Sequence, residues 1–379
     1  MRTIRTYAPG RTELAGNHTD HQGGRVVAGA VSCGIEMALS ANGLGRARVE
    51  SAGFPPFEID LACDDPREDE RFTTRALVRG VVAGMRRHGV PVEGFDLAAH
   101  SSIPAGSGLS SSAAFEIALG RGLDGLFGGQ GCPVAPLEIA RIGQAAERDY
   151  FGKPCGLMDQ LACALGGIVS IDFADAGAPA IEGIDFDFRA HGYELHLVDT
   201  HCDHSRYTDE YSRVARDMTA VAQFMGATRL SEVPEGAFME RFEDVRAHLD
   251  DLAALRGLHY YREMALVDAR IRALREGDMP AFLRATRLSG ASSAQYLQNV
   301  SCMGRPNQPA MVALALCDAL LGIEGACRIH GGGFGGTVQA FVPFDAADAF
   351  RRSIDAHLGE GSCRPYSIGA ECANGDRAN

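Results

Sequence analysis

A mixed α+β chain folded into two lobes is the architecture this sequence predicts, and three observations carry the prediction. Short apolar runs of period two alternate with longer segments of helical period along the whole chain. The 379 residues, 46% of them hydrophobic, exceed what one hydrophobic core usually organises. Between the halves, residues 174–184 are rich in Ala, Gly, Pro and Asp, which marks a lobe boundary and divides the chain into 1–180 and 181–379.

The elements follow in order. Residues 25–41, rich in Val, Ala and Ile, read as strand then turn, and 46–61 as strand-like alternation broken at Pro55 and Pro56. Residues 73–87 carry a helical pattern that stops near Gly89. The run 95–101 is a short strand, followed by a helix from about residue 111 to 127 whose apolar face holds Ala114, Ile117, Ala118 and Leu123. Apolar residues at 139, 142, 145 and 146 predict a helix over 137–150. A helical stretch after Asp159 reaches Leu165, where Gly166 and Gly167 end it ahead of a strand over 168–173. The second lobe is expected to hold a strand at 194–199, helices near 209–225, 237–249, 260–275 and 309–321, a strand at 337–342 and a final pair of elements.

Composition narrows the function. A net charge of −13 disfavours broad contact with nucleic acid or anionic membranes, since both reward clustered cations. No run of about 18 apolar residues occurs and residues 1–9 lack an apolar leader core, so the expected setting is the cytoplasm. The eleven cysteines are scattered singly without Cys-x-x-Cys spacing, which reads as reduced and mostly buried thiols. Lys153 is the sole lysine, so neither glycine-rich stretch has the lysine of a Walker A loop.

Three segments carry candidate chemistry. Residues 104–114 (PAGSGLSSSAA) join a glycine turn to three hydroxyls at a helix start. Gly106 and Gly108 let the backbone approach an anion, and the free N–H groups and positive end of the helix would face it. The plain alternative is a loop with a good N-cap. Residues 331–336 (GGGFGG) contain a formal Gly-x-Gly-x-x-Gly, but the alternation of Thr337, Gln339 and Phe341 with Val338, Ala340 and Val342 follows them as a strand, where a dinucleotide turn would run into a helix. This stretch reads either as a loop whose amides approach a ligand or the other glycine loop, or as a tight turn. Residues 8–21 (APGRTELAGNHTDH) crowd Asn, His and Asp together as a polyol site would, with a metal site or a solvated turn as alternatives.

Taken together, the order Gly-Arg-x-x-Leu-x-Gly-x-His-Thr-Asp, Pro-x-Gly-x-Gly-Leu-Ser-Ser-Ser-Ala, Gly-Leu-Met-Asp-Gln and Gly-Gly-Gly-Phe-Gly-Gly resembles the galactokinase branch of the GHMP small-molecule kinases over nearly the whole chain. The resemblance implies an N-terminal lobe like ribosomal protein S5 domain 2, a ferredoxin-like C-terminal lobe and a cleft between them that uses ATP and Mg²⁺. By position it implies that Gly106, Ser107, Gly108, Leu109, Ser110, Ser111 and Ser112 hold the ATP phosphates, with Ser112 and Glu147 on Mg²⁺. Asp159 would be the catalytic base, and Arg11 would offer charge to the transferring phosphoryl. Asn17, His18, Thr19, Asp20 and Tyr211 would bind the sugar. Without the resemblance, Asp159 reads equally as an N-cap, Glu147 as an exposed helix residue and Tyr211 as core packing.

Several departures accompany the likeness. Asn17 stands where the family usually has Glu, and Glu13 where it usually has Asn; in an extended segment residues 13, 15 and 17 share one face, so the two side chains are expected to be exchanged neighbours. His330 and Thr337 replace a small hydroxyl residue and a cysteine, and residues 200–204 (THCDH) carry two histidines and a cysteine that read as a polar loop more readily than as a zinc site. The expected activity is phosphorylation of the anomeric C1 hydroxyl of galactose, with galacturonate, arabinose or N-acetylgalactosamine as alternative substrates and a non-catalytic galactose sensor as a further rival. The intact Ser112-Ala113 pair favours catalysis, and the absence of an early lysine disfavours the mevalonate kinase branch. The expected partners are the sugar and ATP, with the chain a monomer or weak homodimer.

Overall fold

A computed structural model describes residues 2–129, 133–175, 177–202, 207–301 and 306–369. The first lobe is built on a seven-stranded sheet of β1 (Thr3–Ala15), β2 (Arg25–Ala41), β3 (Arg46–Ser51), β4 (Phe54–Asp60), β5 (Phe95–Ser101), β6 (Ile168–Asp172) and β7 (Ala180–Gly183). Strand β2 organises it, running antiparallel to β1, to β5 through residues 35–41 and to β6 through residues 25–29. The turn expected within 25–41 does not form. Residues 26–31 are buried on both faces, so the Val- and Ala-rich run stays extended for 17 residues. Nor do Pro55 and Pro56 break a strand. They lie in β4 at the sheet edge, where missing N–H groups cost little, and the break falls at Gly53 in the left-handed region (φ +85°).

Helices α1 (Thr74–Arg87), α2 (Ser111–Phe127), α3 (Pro136–Ala145) and α4 (Met158–Leu165) pack their apolar residues with those of this sheet. The helix expected over 137–150 changes character partway. After Ala145 the chain widens into a π-turn over Ala146–Phe151, closed by Gly152 at φ +93°. The N–H groups of Gly152 and Lys153 both donate to the Glu147 carbonyl at 3.0 Å, which folds the chain back over its own helix end.

The second lobe holds an antiparallel sheet of β8 (Tyr193–Asp199), β9 (Ala326–Ile329), β10 (Thr337–Pro343) and β11 (Cys363–Tyr366), ordered β11-β8-β10-β9. Its helices are α5 (Thr208–Phe224), α6 (Glu235–Glu240), α7 (Phe242–His248), α8 (Asp251–Glu276), α9 (Met279–Ser292), α10 (Pro309–Leu321) and α11 (Ala347–Leu358). The helix expected at 237–249 is two, parted at Arg241, and that expected at 260–275 is the later part of the 26-residue α8. Asp250 starts α8 by accepting from the Ala253 N–H at 2.7 Å. Helix α9 was not expected; Asp278 caps it in the same way. One continuous core joins β1 and β2 to Leu195, Leu197 and Phe341 of the second sheet, with Phe188 before β8 and Phe282 of α9 packed on Phe341. Eight cysteines among the described residues are free thiols, and none of the described helices is long and apolar enough to cross a membrane.

Candidate active site

The 104–112 loop joins β5 to α2 and turns through three left-handed residues, Gly106 (φ +74°), Gly108 (φ +71°) and Ser110 (φ +57°). Ser110 occupies the N-cap position of α2 without capping it, because its hydroxyl donates instead to Asp159 Oδ2 at 2.5 Å. No side chain therefore caps the first N–H groups of α2, and the buried Ser107 hydroxyl has no protein partner. An anionic ligand suits such donors. Leu109 is buried and its carbonyl accepts from the Arg11 N–H, tying the loop to β1, while Ser111 is exposed at the first turn of α2.

Arg11 and Asp159 meet across this loop. The guanidinium donates to both carboxylate oxygens, Nε to Oδ1 at 2.8 Å and Nη2 to Oδ2 at 2.9 Å, and Nη1 donates to the Gly108 carbonyl at 2.6 Å. Burial would raise the Asp159 pKa, but the Arg11 charge and the hydrogen bonds from Arg11 and Ser110 outweigh it, so the carboxyl lies below its ordinary range. Asp159 lies in the first turn of α4 and caps no helix end.

Glu147 comes from the π-turn and is almost fully buried. Its Oε1 accepts from Ser112 Oγ at 3.0 Å and from Lys153 Nζ at 3.1 Å, and its Oε2 from Gln160 Nε2 at 2.8 Å. An adjacent hydroxyl and carboxylate are hard oxygen donors of the kind Mg²⁺ takes. No three His, Cys, Asp or Glu side chains converge among the described residues. The pair thus fits an ion whose remaining ligands are phosphate oxygens and waters.

The 16–22 loop leaves β1 at Gly16 (φ +95°). Asp20 faces the Asp159 side of the cleft, admitted because Gly156 has no side chain: a Cβ there would lie 1.8 Å from Asp20 Oδ2. Burial and the Asp159 charge push the Asp20 carboxyl up to about 6. His18 sits against the Tyr211 ring, with centroids 5.3 Å apart, and its Nε2 lies 2.9 Å from the Gly332 carbonyl. Burial and neighbouring His21 pull His18 down to about 3. Tyr211 projects from α5 over Gly332 and remains 40% exposed, where the core-packing alternative would bury it.

Two of the expected sugar residues take other parts. Asn17 is fully buried and all four hydrogen-bonding positions of its amide are occupied, Nδ2 by Glu13 Oε1 (3.4 Å) and the Gly331 carbonyl (2.6 Å), Oδ1 by Ser293 Oγ (3.1 Å) and Asn299 Nδ2 (2.9 Å). No group is left for a sugar. Thr19 is likewise buried, its hydroxyl 3.0 Å from the Gly16 carbonyl and 2.8 Å from that of Arg25, so it shapes the turn. Glu13 and Asn17 are neighbours as expected, but for a different reason. Strand β1 ends at Ala15, and the turn at Gly16 brings Asn17 back.

The 331–336 loop joins β9 to β10 as a hairpin, so it is no dinucleotide turn. The two departures His330 and Thr337 are bonded to each other (Nδ1 to Oγ1, 3.0 Å), and Thr337 Oγ1 donates to the Ser107 carbonyl at 3.0 Å. The second glycine loop is thereby fixed to the first. His201 pairs with Ser362 Oγ at 2.8 Å and Cys202 packs on Gly335, while His204 lies outside the described residues.

Sequence reasoning missed the supports behind the 16–22 loop. Glu263 accepts from the Gly16 N–H (3.1 Å), from Ser289 Oγ (3.0 Å) and from Arg270, and His259 Nε2 lies 3.0 Å from the Asn17 carbonyl. Arg328 donates to Glu13 Oε1 at 2.6 Å. A signal was available: His259, Glu263 and Arg270 recur at intervals of four and seven, which aligns three polar side chains on one buried face of α8.

With this geometry in place, comparison with known proteins is informative. A galactokinase galactose-binding signature matches residues 2–41, and the GHMP kinases N terminal domain matches residues 76–167. The crystal structure of Lactococcus lactis galactokinase complexed with galactose superposes with a TM-score of 0.83 at 23% identity, covering 98% of this chain and 94% of that one. L. major mevalonate kinase in complex with R-mevalonate superposes with a TM-score of 0.65 at 16% identity, covering 97% of each chain. The two-lobed α+β fold is therefore that of the GHMP kinases, a class of small-molecule kinases. Galactokinases of Actinobacillus pleuropneumoniae serotype 3 and Streptomyces coelicolor are 32% identical over 350 and 355 residues, each covering 92% of this chain and 87% of its own length. The chain belongs to the galactokinase family.

Proposed function

We propose that this protein transfers the γ-phosphoryl group of ATP to the C1 hydroxyl of galactose. The observation that carries the reading is the Arg11–Asp159–Ser110 cluster, a charge-paired carboxylate at the mouth of an uncapped helix start. Asp159 is ionised at neutral pH because Arg11 and Ser110 stabilise its charge. Its Oδ1 carries one contact where Oδ2 carries two, which leaves an Oδ1 lone pair to accept the C1 hydroxyl proton as the new bond to phosphorus forms. Arg11 keeps that carboxylate oriented and brings positive charge beside the transferring group. Residues 106–112 offer backbone N–H groups and hydroxyls to the phosphates. Mg²⁺ held by Ser112 and Glu147 would screen the phosphate charge. Asp20 and Tyr211, with His18 behind them, bind the sugar.

In this reading the two lobes are the two domains of one enzyme, divided after β7 (Ala180–Gly183), which belongs to the first sheet, and so a few residues beyond the boundary expected at 180; the eight free thiols among the described residues fit a reducing cytoplasm. The test is a panel of galactose, galacturonate, arabinose and N-acetylgalactosamine assayed with ATP and Mg²⁺, each product examined for a C1 phosphate. Galactose is expected to be the best substrate, and Asp159→Asn is expected to lower kcat by roughly 10²–10⁴-fold while ADP still binds. A fully active Asp159→Asn variant refutes the assignment of the base.

A further inference from the structure

Lys153 lies where a divalent cation would have to go. The π-turn and the left-handed Gly152 aim it back at Glu147, six residues earlier, and its ammonium meets the same Oε1 that accepts from Ser112. A magnesium ion taking both Ser112 and Glu147 would come against that oxygen, and two cations cannot share it without strong repulsion. The lysine is able to yield. Its side chain is 52% exposed on a flexible four-carbon stem, whereas Glu147 is 3% exposed and held on its other oxygen by Gln160.

The surroundings limit where the ammonium can go. Besides Glu147, the carboxylate that favours the charged form of Lys153 against its burial is Asp159, the base, and the Tyr211 phenol, kept protonated by its own burial, stands near it on the sugar side. Asp159 already holds Arg11 and Ser110, and Arg11 is tied both to it and to the Gly108 carbonyl. Of the two described cations at this cluster, Arg11 is held by three hydrogen bonds and Lys153 by one, so Lys153 is the less tethered, standing between the metal ligand, the base and the sugar face.

We propose that Lys153 is a second cationic catalytic residue, resting on Glu147 until Glu147 and Ser112 turn to a divalent cation and then contacting the phosphoryl group in transfer. In that step the bond from the sugar O1 to Pγ forms. The bond from Pγ to the β,γ-bridging oxygen breaks, with its electron pair left on ADP, and the O1 proton passes to Asp159. Lys153 keeps its own proton and stabilises the charge on the equatorial oxygens. The proposal rests on the reading of Ser112 and Glu147 as the metal ligands.

The test uses the full chain with the variants Lys153→Met, Lys153→Arg and Glu147→Gln. Mn²⁺ binding is followed by electron paramagnetic resonance without nucleotide, and steady-state kinetics are measured with ATP, Mg²⁺ and galactose. Lys153→Met is expected to bind Mn²⁺ at least about fivefold more tightly than wild type, the effect of removing one like charge at close range even in a water-like dielectric. Its kcat is expected to fall roughly 10²–10³-fold, as for loss of one preorganised charge contact, with the galactose KM within about threefold. Lys153→Arg is expected to recover part of kcat. A lysine that merely braced Glu147 predicts the opposite sign for the metal, so Mn²⁺ affinity unchanged or weakened in Lys153→Met overturns the proposal, as does a kcat within about threefold of wild type. Glu147→Gln is expected to lose Mn²⁺ binding. Retention of wild-type binding there would remove the metal site itself and the proposal with it, a failure distinct from that of Lys153 alone.

Discussion

Asn17 and Glu13 show how one residue's surroundings decide its part. The amide at 17 ties the 16–22 loop to Ser293 just after α9, to Asn299 and to the 331–336 loop, while the carboxylate at 13 pairs with buried Arg328. Asn17→Glu would set a second carboxylate beside Glu13 and leave the Ser293 and Asn299 contacts to rearrange. It is expected to cost on the order of 3 kcal/mol of stability, the scale for an uncompensated buried charge. The double variant Glu13→Asn/Asn17→Glu, which restores one carboxylate to the pair, is expected to recover most of the loss. Denaturant midpoints of the two singles and the double decide it, and additive losses would show that the sites are independent. Asp20 makes a pH prediction. Its carboxyl is raised to about 6 from 3.8, so the folded chain takes up a proton there that the unfolded chain does not. The stability this adds is complete below the unfolded value and is lost as pH rises through about 6. In the proposed reading the sugar is bound by the Asp20 carboxylate, so its affinity is expected to run the other way. Galactose affinity measured calorimetrically without nucleotide is expected to weaken as pH falls from about 7 to 5, and Asp20→Asn to abolish that dependence. His18 at about 3 and His21 at about 4 stay neutral throughout this range.

At the scale of elements, the cleft is assembled from ends and irregularities. The start of α2 presents donors because Ser110 turns to Asp159, the π-turn after α3 presents Glu147 and Lys153, and the segment before α4 lets Asp20 in at Gly156. Single-turn π segments often occur at functional sites, since the extra residue re-aims side chains that a regular helix would send elsewhere. Gly156→Ala places a methyl group where Asp20 Oδ2 now lies, so the carboxylate must shift by an ångström or more. It is expected to lower kcat/KM for galactose by about 10²-fold and leave the ATP KM within about threefold. Equal losses for both substrates would show that Gly156 supports the fold instead of the sugar side.

For the whole molecule, the two sheets share one core, with Phe341 of β10 fully buried against Phe188 and Phe282 in the cluster that also holds the β1 and β2 side chains. Lobes joined in this way are expected to unfold together. Phe341→Ala is expected to lower stability by about 3–5 kcal/mol and to leave a single calorimetric transition. A second transition appearing in the variant would show that the lobes hold independently. The bond from Thr337 to the Ser107 carbonyl fixes the second glycine loop to the 104–112 loop of the first lobe.

The local grammar of the chain was legible without coordinates. Residues 95–101, 111–127 and 309–321 form the elements their periodicity predicts, because apolar spacing and helix-start residues act within a few positions. The motif order likewise singled out Arg11, the 104–112 loop and Asp159, which the fold gathers into one hydrogen-bonded cluster. What tertiary structure alone decided was direction and partnership. That Asn17 turns inward depends on partners hundreds of residues away, that His330 and Thr337 bond to each other depends on the pairing of β9 with β10, and that Lys153 meets Glu147 depends on a π-turn whose backbone differs from its helical neighbours by one extra residue. Such choices are set by which buried polar group can find a partner, and that is a property of the folded interior.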